Sequence, residues 1–222
     1  SYQFGGKRNF DLNEINDGEY NDWIGAQIRI DMYGWVLPGK PKLAAELARR
    51  DAILSHRGCA VEASAYIAGL CALIPDSNSR EEAVNAALDL VDKNSEAYEA
   101  VLLGINNAGK PASVLHEHYG DMSPVHSLNN LSVVVWAFLS FQDSFDEAIG
   151  ETICCGWDTD CTGATVGGLI GLDKGSIPEL WTEPWQGRVN TAVAGVGELN
   201  LDDLVDRTCA LVDKFSSSPD LP

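Results

Sequence analysis

Basic side chains are scarce in this sequence, and their scarcity limits what the protein binds. Lysine and arginine together number 15 against 33 aspartates and glutamates, so the 222 residues carry a formal net charge of -18. Such a surface is repelled by phosphate backbones and by anionic lipid headgroups. The charge balance therefore argues against nucleic acid and membranes as partners. A net negative charge is compatible with cation binding, but more often it only keeps a protein surface well solvated.

The sequence also lacks the patterns of secretion, membrane insertion and zinc binding. It opens on polar residues at 1–8 without a leader-like apolar stretch, and no apolar run of membrane length is evident. The six cysteines show no zinc-site spacing, and the adjacent Cys154 and Cys155 cannot easily bridge to each other. We therefore expect reduced thiols and a cytoplasmic location.

Strand patterns, internal repeats and linkers are absent as well, whereas helical periodicity recurs along the chain. Hydrophobic residues make up 45% of the sequence, as in globular proteins. The pattern predicts one all-α domain over residues 1–222, with an arm or loop at 1–20 and a tail at 216–222. The predicted helices cover residues 21–36, 42–54, 59–74, 80–93, 95–106, 128–142, 145–155, 162–171 and 201–215. Residues 116–129 and 172–189 are predicted as irregular loops.

Two of the predicted helix starts carry a capping box, in which a serine and a glutamate three residues later satisfy each other's free backbone groups. The pairs are Ser79 with Glu82 and Ser144 with Glu147. The helix predicted at 59–74 is apolar on all sides, which is typical of a helix at the centre of a core.

The stretch Gly-Trp-Asp-Thr-Asp at 156–160 places two carboxylates, Asp158 and Asp160, two positions apart on a turn before a run of small residues. Paired oxygen ligands on one side of a short segment suit Mg²⁺ or Ca²⁺. Alternatively, one of the two carboxylates caps the helix that is expected to begin near Thr162. The residues alone leave both interpretations open.

Four segments together resemble the ADP-ribosylglycohydrolase family. They are the Asp-x-Asp stretch at 156–168, Gly-Asp-Met-Ser-Pro-Val-His-Ser at 120–127, Asn-Asp-Trp-Ile-Gly-Ala-Gln-Ile-Arg at 21–29 and Ser-His at 55–56. The resemblance runs from about residue 21 to about residue 211. It implies a compact multi-helix orthogonal bundle with a cleft that holds a pair of Mg²⁺ ions. It also implies hydrolysis of ADP-ribosyl glycosidic bonds, with release of ADP-ribose from a modified protein or a small ADP-ribosyl compound.

The resemblance assigns both Asp158 and Asp160 to the metal pair. Where better-known members have a threonine ligand, this chain has Cys161, whose thiol is a poor partner for Mg²⁺. Thr162 or a water molecule is then expected as the third ligand. A pair of metal ions that grips the ribose diol polarises the anomeric region and activates water, which fits cleavage of a glycosidic bond. No residue is assigned as the catalytic acid or base.

The resemblance also implies a substrate-binding group. His56 matches a histidine beside the distal ribose. Gly25 and Ala26, with Arg29 nearby, match small residues where a helix start approaches the diphosphate. The alternatives stay open: His56 caps neighbouring carbonyls, Gly25 and Ala26 serve helix packing, and Arg29 forms a structural ion pair.

Other polar and aromatic residues border these motifs. The amides of Asn129 and Asn130 offer hydrogen bonds to a ligand, or they organise the turn before their own helix. Trp157, Trp181 and Trp185 flank the metal stretch. One of them stacks on adenine, or all of them serve as core and loop anchors.

A Thr-Asp-Asp cluster, which the family carries near its N-terminus as the other half of the metal site, does not occur in this sequence. The sequence is therefore expected to be the C-terminal portion of the domain and inactive alone. A preceding segment or a second chain is expected to supply the missing ligands. Two other functions stay open: a non-catalytic structural relative of the lens J1-crystallin type, and a different Mg²⁺-dependent phosphohydrolase.

Overall fold

The computed structural model describes residues 18–216, and over these residues the chain is almost entirely helical, which confirms the all-α prediction. Residues 1–17 of the predicted arm (1–20) and residues 217–222 of the predicted tail (216–222) lie outside the described residues. In chain order the helices are α1 (Asp31–Trp35), α2 (Pro41–Ala52), α3 (Cys59–Leu73), α4 (Arg80–Ala87), α5 (Glu96–Asn107), α6 (Ser113–Tyr119), α7 (Ser127–Ser140), α8 (Phe145–Cys154), α9 (Thr159–Lys174), α10 (Glu179–Thr182) and α11 (Leu201–Ser216).

Short elements complete the described part of the chain. The two strands form one antiparallel ribbon, with Val189 opposite Leu199. The prediction that the sequence contains no strand is therefore wrong at this one place. The 3₁₀ turns cover Gln27–Arg29, Ile74–Asp76, Leu88–Leu90 and Glu183–Trp185, and the strands are β1 (Arg188–Asn190) and β2 (Glu198–Asn200).

The core is built around α3, as its apolar surface predicts. Nearly every residue of α3 is buried, and the helix packs against α1, α2, α4 and α7. With the 3₁₀ turn that follows, the window Cys59–Asp76 has a mean hydropathy of 1.3 over 18 residues, long and apolar enough to cross a membrane. The prediction that no run reaches this length is therefore wrong. Since 78% of the window is buried inside the protein, its apolar character is explained by its place in the core.

The second large block of the core is α7, which packs against α5 and α9 and contributes two of the three most voluminous fully buried side chains, Trp136 and Phe138. Helix α9 in turn lies against both α7 and α8. Its glycines allow this close packing, since a Cβ added at Gly163 would lie 3.0 Å from the Ile153 side chain. The small-residue run after the Asp-x-Asp stretch therefore seats α9 among its neighbours.

Contact between α1 and α3 depends on Gly34. A Cβ at this position would lie 2.3 Å from Cys71 Cβ and 2.5 Å from the backbone oxygen of Ala68. Both contacts are far shorter than van der Waals separation, and the second is with backbone, which cannot rotate away. The two helices therefore meet at a point where only hydrogen fits.

We expect Gly34→Ala to reduce the free energy of unfolding by about 3 kcal/mol, because overpacking at a rigid contact forces the helices apart. Urea unfolding followed by circular dichroism measures this change. Gly150→Ala is the matched control: Gly150 lies in α8, and a Cβ there would meet nothing within 4 Å. The control should gain about 0.5–1 kcal/mol from helix propensity. Equal stability of the two variants would contradict the close contact.

The predicted helix caps are present. Ser79 Oγ accepts a hydrogen bond from the Glu82 backbone N–H, and Ser144 Oγ accepts one from the Glu147 N–H. These starts are readable from sequence because a cap involves only residues three positions apart. The helix ends are less exact: the helix predicted through residue 93 ends at Ala87 and continues as the short 3₁₀ turn.

Three predicted segments differ from the structure. Residues 21–36 form a 3₁₀ turn and α1 rather than one helix, because the backbone of Ile24 bonds instead to Val125, far along the chain. Residues 116–129 are not wholly irregular, since α6 buries Leu115 and Tyr119 on one face. Residues 172–189 contain the end of α9, α10 and a 3₁₀ turn.

Candidate active site

The two candidate metal ligands follow a sharp reversal of the chain between α8 and α9. Two successive residues there have left-handed backbone angles, Gly156 with φ +81° and Trp157 with φ +58°. Glycine adopts this conformation freely, whereas a bulky residue pays roughly 1 kcal/mol or more. Surrounding contacts must therefore hold Trp157 in place.

A histidine that the sequence did not single out provides one of these contacts. The ring of His116, on α6, stacks on the Trp157 ring with centroids 4.0 Å apart and an interplanar angle of 24°. His116 Nε2 also lies 2.7 Å from the Cys155 carbonyl oxygen. Helix α6 thus clamps the reversal from one side. Its position could not be read from sequence because His116 is 39 residues from Cys155.

The amide of Asn130 holds the reversal from the other side. Asn130 is fully buried, and its Oδ1 accepts a hydrogen bond of 3.1 Å from the Asp158 backbone N–H. Its Nδ2 donates to the carbonyl oxygens of Pro124 and His126. The neighbouring Asn129 is equally buried and donates to Ser123. Both amides are therefore used inside the protein, which favours their role as organisers of this turn.

The Asp158 carboxylate makes no full capping hydrogen bond, the role that was its main alternative. Asp158 occupies the residue before α9, and its carboxylate lies near enough to the Cys161 backbone N–H to favour its charged form, but the geometry falls short of a capping hydrogen bond. Carboxylate oxygens of Asp158 and Asp160 and the thiol sulfur of Cys161 all lie within 4.8 Å of one another. Among residues 18–216 this is the one group of three or more acidic, histidine or cysteine side chains so closely placed.

Burial and mutual repulsion shape the electrostatics of this group. Burial raises the pKa of Asp158, and the neighbouring Asp160 raises it further, while the Cys161 thiol and backbone N–H oppose the shift. Burial, followed by the charges of Asp158 and Asp160, raises the pKa of Cys161 to about 12. At neutral pH and without a cation the cysteine is therefore a neutral thiol beside two carboxylates. A cation would relieve their repulsion.

The residues present fit a divalent cation, though not with the predicted third ligand. Mg²⁺ is commonly held by one or two carboxylates together with water and substrate oxygens, as Asp158 and Asp160 permit. Thr162, predicted as a ligand, is fully buried, and its hydroxyl donates 2.9 Å to the Asp158 backbone oxygen. The side chain that joins the two carboxylates is Cys161. The structure therefore gives Thr162 a role inside the first turn of α9.

The predicted substrate-binding residues form a second group around His56. The ring of His56 is buried and directed at Gly25, where an added Cβ would lie 3.2 Å from Nε2. Ser55 Oγ lies 2.7 Å from His56 Nδ1 and accepts a bond of 2.8 Å from the Arg29 guanidinium. Burial, and then the charge of Arg29, lower the pKa of His56. The imidazole is therefore neutral at physiological pH.

The two remaining members of the predicted group have structural partners. Arg29 forms an ion pair of 2.6 Å with Asp51 and also donates to the Gly25 carbonyl oxygen. This is the structural ion pair that was the alternative to ligand binding. Ala26 is fully buried and packs with Ala52 and Val61. Its side chain faces the core, so only Gly25 and His56 keep the geometry expected of a ligand-facing pair.

One turn connects the metal group to the His56 group. The Ile24 N–H donates to the Val125 oxygen, and the Ser127 N–H donates to the Asp22 oxygen. Ser127 Oγ adds a bond of 2.9 Å to the Trp23 oxygen. Since Asn130 in the same first turn of α7 holds Asp158, the start of α7 anchors both groups.

The tryptophans beyond the metal group behave as anchors. The indole N–H of Trp181 donates to the Asp146 carboxylate, and its ring packs edge-on against Phe145 with centroids 5.5 Å apart. Trp185 is half exposed in the 3₁₀ turn that follows. Of the three, only Trp157 adjoins the carboxylates.

Two buried polar side chains near α9 escaped the sequence analysis. Gln27 is completely buried, and neither atom of its amide has a hydrogen-bond partner. Asp31 Oδ1 is likewise buried without a partner, and burial raises the pKa of this carboxyl to about 7. The other carboxyl oxygen of Asp31 faces α9 at Gly168. The position of Gln27 within an apolar segment could have indicated its burial. Nothing in the sequence around Asp31 indicated that it would be buried.

An all-α chain whose paired carboxylates can share a cation has the make-up of a metal-dependent hydrolase. The chain belongs to the ADP-ribosylglycohydrolase family, whose model matches residues 3–217. The family carries out hydrolysis of ADP-ribosyl glycosidic bonds and is known as metal-dependent. No curated protein and no solved structure matches the chain.

Proposed function

We propose that this chain carries part of the active site of a Mg²⁺-dependent hydrolase that releases ADP-ribose from an ADP-ribosylated protein or a small ADP-ribosyl compound. The observation that carries the proposal is the Asp158–Asp160 pair, whose carboxylates lie close together at the start of α9, in a chain of this family. The free thiols of all six cysteines suit the cytoplasmic location that we propose with it.

Asp158 and Asp160 would hold Mg²⁺, which supplies Lewis-acid polarisation and an activated water when bound. The chain's own task is to keep the two carboxylates in place through Asn130 and the His116–Trp157 stack. His56 would contribute a neutral hydrogen-bonding group beside Gly25, whose missing side chain leaves the space that the imidazole ring occupies.

We further propose that a segment with the Thr-Asp-Asp cluster, preceding this chain or on a second chain, completes the site. The first helical segment supports this. Ile28, Met32 and Trp35 recur at helical spacing and are 40–49% exposed, so the rest of residues 18–216 leaves an apolar stripe uncovered. A covering segment would bury this stripe.

The test is release of ADP-ribose from an ADP-ribosylated protein in the presence of Mg²⁺. The chain alone is compared with the same chain supplied with a segment that carries the Thr-Asp-Asp cluster. We expect little release by the chain alone and metal-dependent release by the combination. Inorganic phosphate as product would favour a phosphohydrolase. Tight Mg²⁺ binding without product from the combination would favour a non-catalytic relative.

His56→Ala should weaken binding of ADP-ribose by about 1 kcal/mol, or roughly fivefold, as expected for one hydrogen bond between neutral groups. Mg²⁺ affinity should be unchanged, since His56 is not among the metal group. Isothermal titration of the completed protein with each ligand measures both quantities. His118→Ala, which removes an exposed histidine from α6, is the control. If a folded His56→Ala protein binds ADP-ribose with unchanged affinity, His56 does not contact the ligand and its role is the structural hydrogen bond with Ser55.

A further inference from the structure

The third member of the metal group is a sulfur atom. Cys161 Sγ and carboxylate oxygens of Asp158 and Asp160 lie within 4.8 Å of one another. Zinc takes oxygen and sulfur ligands at about 2.0–2.3 Å in a tetrahedron, so two ligands of one ion lie roughly 3.5 Å apart. Atoms at most 4.8 Å apart would therefore need to approach by up to roughly 1 Å to share a single cation, a movement that side-chain rotation allows.

The sulfur atom in this donor set does not match the preference of Mg²⁺ for oxygen, whereas the two carboxylates by themselves do. One thiolate and two carboxylates are instead ligands for zinc and its heavier relatives. We propose that Asp158, Asp160 and Cys161 bind a thiophilic divalent cation of the Zn²⁺ type more tightly than Mg²⁺. If Asp158 and Asp160 also hold Mg²⁺, the two ions compete for the same carboxylates. This competition rests on the proposed function.

The surroundings of Cys161 allow it to act as a ligand. Its side chain is only partly buried, so an ion can reach it from solvent. It lies at the third position of α9, next to the carboxylates and without a disulfide partner. When the ion binds, the thiol loses its proton to the buffer and the sulfur–metal bond replaces the sulfur–hydrogen bond, with no change in oxidation state. The two repelling carboxylates gain a shared counter-charge in the same step.

The experiment titrates the full chain with Cd²⁺, a spectroscopic substitute for Zn²⁺, and follows the ultraviolet charge-transfer absorption of a cadmium–thiolate bond. Wild-type protein should show this absorption, and Cys161→Ser should lose it. Zn²⁺ affinity in isothermal titration should fall roughly tenfold or more in Cys161→Ser, since even partners outside the ligand shell cost tenfold. Mg²⁺ affinity should not fall.

Matched variants separate this site from other thiols. Cys154→Ser and Cys209→Ser remove exposed free cysteines outside the group and should keep the absorption and the Zn²⁺ affinity. Asp158→Asn keeps Cys161 but removes a proposed oxygen ligand, so it should weaken Cd²⁺ binding. Unchanged Cd²⁺ affinity in this variant would mean that a lone thiol binds the ion, which overturns the proposal.

Two further outcomes would also overturn it: no cadmium–thiolate absorption in folded wild-type protein, or full absorption in Cys161→Ser. The result is independent of the proposed function. Absence of Mg²⁺ binding or of ADP-ribose release would reject that function, whereas the sulfur signal and its dependence on Cys161 and Asp158 test only the mixed site.

Discussion

Substitution of Asp158 or Asp160 by alanine is expected to weaken Mg²⁺ binding at least about 100-fold in the completed site and to remove metal-dependent release of ADP-ribose. Loss of a residue that binds the metal directly should reduce metal affinity at least as much as loss of a residue that only supports a ligand, which typically reduces it about 10–100-fold. The fold should survive, because Asp160 is exposed and Asp158 contributes to the first turn of α9 only a weak contact with the Cys161 backbone N–H. Removal of one charge also relieves the repulsion that raises the pKa of Asp158.

Isothermal titration with Mg²⁺ measures the first effect, and thermal unfolding followed by circular dichroism measures the second. Asp203→Ala is the matched control, since Asp203 is an exposed carboxylate in the first turn of α11. It should leave both quantities unchanged. Unaltered Mg²⁺ affinity in both Asp158→Ala and Asp160→Ala would show that the pair is not a metal site.

Replacement of Asp31 by asparagine should increase the protein's free energy of unfolding above pH 7. Burial raises the pKa of Asp31 to about 7, against about 3.9 in an unfolded chain. Between these two values the folded protein holds a proton that the unfolded chain releases. Stability is therefore greatest below about pH 4 and falls as the pH rises towards 7. The difference of about 3 pKa units corresponds to at most about 4 kcal/mol.

The test is urea unfolding of the wild type and Asp31→Asn at pH 5 and pH 8. Wild-type protein should lose stability between the two conditions, and the variant should lose less, because an amide stays neutral throughout. Asp203→Asn, at an exposed carboxylate, should behave as the wild type does. An identical pH dependence in Asp31→Asn and wild type would show that another group titrates.

The fold was predictable where its causes are local. The serine caps at Ser79 and Ser144 and the apolar α3 were predicted correctly, since residues a few positions apart determine caps and the composition of a helix indicates its burial. The glutamate half of the first capping box differs, since Glu82 accepts a hydrogen bond from the Asn78 backbone N–H. The break before α1 could not be read, because it comes from backbone pairing between residues 21–25 and 123–127. The β-ribbon was missed because each strand has only three residues.

The candidate site was predictable in part. The spacing of Asp158 and Asp160 identified the carboxylate pair, but α9 begins at Thr159, three residues earlier than expected. This earlier start turns Thr162 onto the buried face of α9, with Thr165 and Val166, and leaves Cys161 beside the carboxylates. The family resemblance assigned both His56 and Gly25 to substrate binding, whereas the direct contact between them was not predicted. Partners distant in sequence, such as Asp51 for Arg29, left no local signal.

The shared anchorage at the start of α7 makes the two groups energetically dependent on each other. Ser127 and Asn130 lie one helical turn apart, both completely buried; one holds the segment before Gly25, and the other holds Asp158. A tilt of this turn would displace both groups together. Substitutions at Ser127 and Asn130 should therefore be non-additive in a double-mutant cycle. Substitutions that alter one group during evolution would therefore have to preserve the first turn of α7, because both groups depend on it.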